Sequence, residues 1–307
     1  MRIVFCGTAD FAVPSLRALA DAHDVLAVVT QPDRSGSRGR PALRPVGEAA
    51  TRLGVRVLRP ERIRAPQSVT EIMSLNPDAL VVAAYGQIIP AALLDGPRHG
   101  GVNVHGSVLP RWRGAAPVAA AILAGDTRTG VSIMRMDAGL DTGPVYATSV
   151  TTIAPDETAP SLTSRLATLG AALLVEVLAG LEVGTVTAVA QDETQATHAP
   201  RLRREDGLVE WTSINAVDLD RRVRALQPWP GVTAPLGGQP VRLLEGTPVG
   251  SAGAAATAGG VLALVGEAAD VATASGTFRL ARVQPPGRRP MTAAAYLRGR
   301  RVQPSTR

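Results

Sequence analysis

The chain opens on a continuous apolar run at residues 3–6, then a helical pattern over 14–22 with Pro14 in its first turn, then a second apolar run at 25–30. The alternation continues. Helical spacing predicts helices at 45–53, 67–75 and 91–95; an uninterrupted apolar run predicts a strand at 79–84, and short valine-rich segments predict strands at 55–58 and 102–105. Strands apolar at every position are buried on both faces, as in parallel sheets covered by helices on either side. The first part of the chain therefore reads as α/β: a doubly wound, mostly parallel, Rossmann-like sheet. Two further strands, 130–136 and 145–153, follow. Over 161–181 Leu162, Leu166, Leu169, Leu173, Leu174, Val177 and Leu178 recur near a 3.6-residue period, which predicts an amphipathic helix. No run reaches the roughly 18 to 20 apolar residues of a bilayer span, so no membrane contact is expected.

The later part has a different texture. Residues 185–206 show no period and read as a linker. A helix is predicted at 216–226, after which Pro228, Pro230, Gly231, Gly237 and Gly238 break the chain into turns. Short strands at 241–244, 260–265, 271–273 and 277–283, joined by Gly/Ala-rich loops, predict a smaller OB-like β-barrel domain. The stretch 250–260 reads as a flexible loop. So does 31–44, a polar Gly/Pro/Arg segment that is long for a compact α/β unit. The expected organisation is a first domain over 1–184, a linker over 185–206 and a second domain over 207–307.

Composition narrows the chemistry. The single cysteine, Cys6, allows no internal disulfide, and the N-terminus runs as a strand and not as a signal peptide, so a reducing, cytoplasmic setting is expected. All 32 basic residues are arginine. Without lysine there is no Schiff-base, P-loop or lysine general-base chemistry. The net charge of +6 is unevenly placed: residues 34–64 hold nine Arg against two acids, and 271–307 hold eight Arg and no acid. Two one-sign stretches point to a polyanionic partner such as a nucleic acid.

The turn after the first strand, Gly7-Thr8-Ala9-Asp10-Phe11-Ala12, is not G-x-G-x-x-G, so no nucleotide cofactor is expected. His23, His99, His105 and His198 are scattered and Cys6 has no partner at ligand spacing, so no metal is expected either. Asn103 and His105 stand two residues apart on one strand, hence on one face, at the strand end where open α/β sheets bind ligands. An amide can donate to a developing oxyanion, and an imidazole can move a proton near neutral pH. A carboxylate to orient that imidazole could come from Asp137 or Asp141 in Met136-Asp137-Ala138-Gly139-Leu140-Asp141-Thr142-Gly143; spacing alone does not separate them.

The strings Phe5-Cys6-Gly7-Thr8-Ala9-Asp10-Phe11-Ala12, Gln31-Pro32-Asp33-Arg34, Ala84-Tyr85-Gly86-Gln87-Ile88-Ile89-Pro90, Asn103-Val104-His105-Gly106-Ser107-Val108-Leu109-Pro110-Arg111-Trp112-Arg113-Gly114 and residues 134–143 together resemble the bacterial methionyl-tRNA formyltransferases. Gln191-Asp192-Glu193-Thr194 and Pro228-Trp229-Pro230 extend the likeness into the linker and second domain. The resemblance implies formyl transfer from 10-formyltetrahydrofolate to methionyl initiator tRNA, by a cytoplasmic monomer. It implies that Asn103, His105 and Asp141 are catalytic. It further implies that folate is bound by Ser107, Val108, Leu109 and Pro110 with Tyr85, Gly86 and Ile88, and that Arg38 of the basic loop meets tRNA; by their charge Arg34, Arg40 and Arg44 of the same loop are expected to contact its phosphates too. Val108 stands where leucine is usual, and Arg201 where lysine is usual. Loop 31–44 is expected to be mobile in the free protein and to order over the acceptor end of tRNA. Trp112 is expected to wall the active site or to stack on a base.

Overall fold

A computed structural model describes residues 1–32, 44–250 and 257–304. The chain runs through β1 (Arg2–Gly7), α1 (Val13–Ala22), β2 (Asp24–Val29), α2 (Pro45–Arg52), β3 (Val57–Leu58), α3 (Pro66–Met73), β4 (Ala79–Ala83), α4 (Ala91–Asp95), β5 (Gly101–His105), β6 (Arg113–Gly114) and α5 (Pro117–Ala124). Then come β7 (Arg128–Arg135), β8 (Val145–Thr152), α6 (Ala159–Val183) and the short β9 (His198–Ala199). It forms two compact units: Met1–Pro117, Arg128–Thr152 and Ser161–Ala199 make the first, and Val118–Thr127, Ile153–Pro160 and Pro200–Arg307 the second.

In the first unit the seven-stranded sheet has the order β3-β2-β1-β4-β5-β7-β8. The five strands from β3 to β5 are parallel, and β7 and β8 are antiparallel additions at one edge. Proline in the first turn opens α1, α2 and α3, where its fixed φ and missing N–H cost nothing. Val4, Cys6, Val29, Leu80, Val82 and Leu93 pack one face into a core, the valines and leucines each contributing about 1.5–3 kcal/mol through burial. Burial raises the Cys6 thiol far above its ordinary range, so Cys6 serves as a small apolar side chain. Strand order reverses between β1 and β4, so the turns after β1, β4 and β5 emerge along one edge beside a topological switch point.

Helix α6, 25 residues long, is long and apolar enough by length and composition to cross a membrane, although no uninterrupted apolar run in it reaches that length. Ser164, Arg165, Thr168 and Glu176 break its apolar run, yet alanine, leucine and valine keep its average hydropathy high. It serves as a core helix. Leu162, Leu166, Leu174 and Leu178 are fully buried, and Gly170 lies so close to the sheet that a Cβ there would stand 2.8 Å from a methyl of Val104 in β5.

The second unit contains α7 (Ala216–Ala225), β10 (Val232–Leu236), β11 (Gln239–Pro248), β12 (Val261–Val265), β13 (Ala268–Ala272), β14 (Thr277–Gln284), β15 (Met291–Thr292) and α8 (Ala293–Gly299). The strands form an antiparallel sheet in the order β10-β11-β14-β13-β12, with β15 paired to β14. Asn215 caps α7 by accepting the Asp218 N–H at 2.8 Å, and Leu219, Val223 and Leu226 join Val241, Leu243, Val271, Phe278 and Leu280 in one core. The Gly/Pro pattern hid β10: Pro235 lies inside it, tolerated because β10 is an edge strand. Phe278 is 0% exposed, so Phe278→Ala should cost about 3–5 kcal/mol, read as a lowered urea midpoint at unchanged m-value.

Candidate functional site

Strand β5 is buried along its whole length, and its two-residue period brings Asn103 and His105 to the same face near its end. Both are polar and nearly inaccessible, at 9% and 5% exposure, so their partners decide what they can do. His105 Nε2 lies 2.9 Å from the Trp112 carbonyl oxygen. A carbonyl only accepts, so Nε2 carries the hydrogen, and in the neutral ring Nδ1 holds the free electron pair. Nδ1 faces Asp141 Oδ2 at 3.6 Å. Asn103 donates from Nδ2 to the other oxygen of the same carboxylate at 3.5 Å. The Gly114 N–H donates to Asp141 Oδ2 at 2.9 Å. One carboxylate thus stands between an imidazole, an amide and a backbone N–H.

Asp137 does something else. Its Oδ1 accepts the Gly139 N–H at 3.0 Å and the Thr142 hydroxyl at 2.7 Å, closing the turn that carries Asp141. Of the two carboxylates, Asp141 is the one brought to the imidazole. Asp141 and Trp112 both have left-handed backbones, at φ 56° and 62°, an uncommon conformation for residues with a Cβ. These two residues present the carboxylate and the carbonyl to the same ring. Nothing in the sequence marks the Trp112 carbonyl or the Gly114 N–H, because backbone groups are alike at every position.

The segment after β5 is held from below by Ser132 of β7. The Ser132 hydroxyl donates to the Ser107 carbonyl at 2.8 Å and accepts the Leu109 N–H at 3.0 Å. Ser107 donates onward to the Arg111 carbonyl at 2.6 Å, so residues 107–111 form a braced loop with Leu109 buried, Val108 and Pro110 half-buried. Along the same sheet edge, the Tyr85 carbonyl accepts from the Thr8 hydroxyl at 3.0 Å and from Gln31 Nε2 at 2.8 Å. Gly86 at φ 84° leaves a Gln31 nitrogen within 2.6 Å of where a Cβ would be, and Ile88 beyond it is 84% exposed. Arg111 covers one face of the Trp112 indole, its guanidinium carbon 4.3 Å from the ring centroid.

Arg44 is half-buried just before α2, whereas Arg34, Arg38 and Arg40 lie outside the described residues, as does the expected mobility of most of that loop.

Residues 1–178 match the formyl transferase family, and residues 201–301 match the formyl transferase C-terminal domain. A methionyl-tRNA formyltransferase of Solibacter usitatus is 47% identical across 98% of this chain and 96% of its own length. One of Halorhodospira halophila is 48% identical across 99% and 97%. Among solved structures, HypX from Aquifex aeolicus in complex with tetrahydrofolic acid matches with a TM-score of 0.65 at 20% identity, over 97% of this chain and 47% of HypX. This chain therefore spans about half the length of HypX. The N-formyltransferase from Helicobacter canadensis, in complex with folinic acid and dTDP-3-aminofucose, matches at 0.66 and 15% identity over 92% and 98%. At such identities these two likenesses speak for the fold alone.

Proposed function

The chain belongs to the methionyl-tRNA formyltransferase family, and from that premise we propose how its residues move a formyl group from 10-formyltetrahydrofolate to the α-amino group of methionyl initiator tRNA. Folate supplies the formyl group on N10, activated for acyl transfer. As the amine nitrogen attacks the formyl carbon, a C–N bond forms and the carbonyl oxygen becomes an oxyanion. Asn103 donates to that oxygen. His105 takes the surplus amine proton at Nδ1, its free position while Nε2–H is held by the Trp112 carbonyl at 2.9 Å. The ring then returns the proton to N10 as the C–N10 bond breaks. Asp141 stabilises the imidazolium formed between these steps; the tautomer is set by Trp112 and not by Asp141. The scheme uses no metal and no nucleotide.

The observation that carries this reading is the single Asp141 carboxylate within 3.5 Å of Asn103 and 3.6 Å of His105. Folate occupancy is assigned to Ser107–Pro110 with Tyr85, Gly86 and Ile88, supported by the braced loop and the exposed Ile88 at one sheet edge. We assign residues 1–184 to catalysis, 185–206 to the connection and 207–307, with their excess of arginine, to tRNA. The substrate implies that the enzyme works in the cytoplasm, and we take it to act as a monomer. The test is formylation of methionyl initiator tRNA beside methionyl elongator tRNA and free methionine, each with 10-formyltetrahydrofolate. Rapid transfer to the initiator alone supports the reading; no transfer to it, with transfer instead to a purine precursor or amino-sugar supplied as a further acceptor, would refute it.

The arginine-rich loop gives a second test. Arg38→Ala should raise KM for tRNA, or sharply lower kcat/KM, while leaving KM for the folate nearly unchanged. The difference from wild type should shrink with added salt, as phosphate contacts require. Equal tRNA kinetics at low salt would make the loop an ordinary solvated surface.

A further inference from the structure

The stretch read from the sequence as linker makes bonds that reach the centre of the site. Gln191 Nε2 bridges two carbonyls of the turn that carries Asp141: that of Asp141 itself at 2.8 Å and that of Gly143 at 2.7 Å. The other end of the amide, Oε1, accepts from Arg113 Nε at 3.0 Å. An arginine only donates, so this contact fixes which end of the amide faces the turn. Arg113 is 2% exposed, and its fork grips Glu193 at 2.8 and 2.7 Å, two residues further along the same stretch. The hydrogen bonds from Arg113 hold the Glu193 carboxyl below its ordinary range, so this grip is present above the usual glutamate pKa and weakens as pH falls through the depressed value.

Three consecutive residues thus divide one task. The Trp112 carbonyl holds His105, the Arg113 side chain holds Gln191, and the Gly114 N–H holds the Asp141 carboxylate. Thr197 closes the frame from the same stretch, its hydroxyl accepting the Trp112 N–H at 2.9 Å and its carbonyl the Arg113 N–H at 2.8 Å. The turn needs such support. Asp141 is left-handed at φ 56°, and its Oδ2 is 3.6 Å from His105 Nδ1, already beyond hydrogen-bond length.

We propose that Gln191, oriented by Arg113, is a positioning residue for formyl transfer, holding the Asp141 turn at the distance from His105 that the reaction uses. The inference rests on the catalytic roles proposed above for Asp141 and His105. Loosening the turn by about 1 Å is the kind of displacement that costs on the order of 100-fold in rate. A glutamine that merely strutted the fold would lower stability and leave kcat alone.

The experiment uses the full chain with Gln191→Ala, Gln191→Glu, Asp141→Ala and the Asp141→Ala/Gln191→Ala double variant. Gln191→Glu keeps an oxygen for Arg113 but replaces the bridging NH2 by a second oxygen, and it keeps the test open should the alanine variant fold poorly. Both Gln191 variants should lose roughly 10- to 100-fold in kcat, with KM for folate and tRNA within about twofold of wild type. Amide hydrogen exchange in the substrate-free protein should speed up at Gly114, whose N–H bonds Asp141, while the β5 amides stay protected. In the Asp141→Ala background, Gln191→Ala should cost nothing further. Wild-type kcat in both Gln191 variants, a loss confined to KM, unchanged exchange at Gly114, or a loss that multiplies fully onto that of Asp141→Ala would overturn this inference alone. Wild-type kcat in Asp141→Ala would overturn the catalytic reading and this inference with it.

Discussion

His105→Ala is expected to lower kcat for methionyl-tRNA formylation by roughly 100- to 10,000-fold, the range that a positioned general acid–base supplies. The fold should survive, because Trp112 is also held through its N–H by the Thr197 hydroxyl, and the Asp141 carboxylate by the Gly114 N–H. Asn103→Ala should lose on the order of 100- to 1,000-fold, as for a removed oxyanion donor. The two side chains and Asp141 serve one tetrahedral centre, so their effects should not multiply. The Asn103→Ala/Asp141→Ala variant should fall well short of the product of the single losses. Single-turnover rates with saturating folate and tRNA read these effects directly. A His105→Ala enzyme that keeps more than half of wild-type kcat would rule out the proton-transfer role given to the imidazole, and full multiplication would show that Asn103 and Asp141 act separately.

Gly114→Ala should damage both stability and rate. Gly114 sits at φ 120° in the short β6–β9 pairing, and a Cβ there would lie 2.5 Å from the Ala199 carbonyl oxygen. An L-residue at such a φ costs about 1–3 kcal/mol before any collision is counted. The collision is with backbone, which has no rotamer to give, so the pairing must part. As it parts, the Gly114 N–H leaves Asp141 and the Trp112 carbonyl shifts against His105. We expect a loss of about 2–4 kcal/mol in urea unfolding and about 100-fold in kcat. Gly54→Ala is the control. Gly54 is also left-handed, at φ 71°, yet nothing lies within 4 Å of its would-be Cβ. It should cost only about 1–2 kcal/mol and leave kcat unchanged. If the two variants behaved alike, the close approach to Ala199 would have no bearing on the site.

Strands such as β1 and β4 could be read from the chain because a strand buried on both faces is apolar at nearly every position, and such runs need no knowledge of neighbours. Asn103 and His105 were legible for a related reason: a period of two puts them on one face whatever else the protein does. Periodicity failed where burial had no direction. Helix α5 is apolar all round and gave no helical stripe, and β10 carries a proline that only an edge position permits. The spacing of Asp137 and Asp141 could not choose between them, since both lie in one glycine-bounded turn. What separates them is that Asp137 spends its carboxylate on Gly139 and Thr142 within that turn. The remaining parts of the site are joined across long stretches of chain: Asp141 to Gln191 over 50 residues, Arg113 to Gln191 over 78, Trp112 to Thr197 over 85. Several of the groups that meet there are carbonyls and N–H groups, which every residue carries. Local sequence records which side chains shun water. Which backbone groups meet is decided only when the sheet has brought distant segments together.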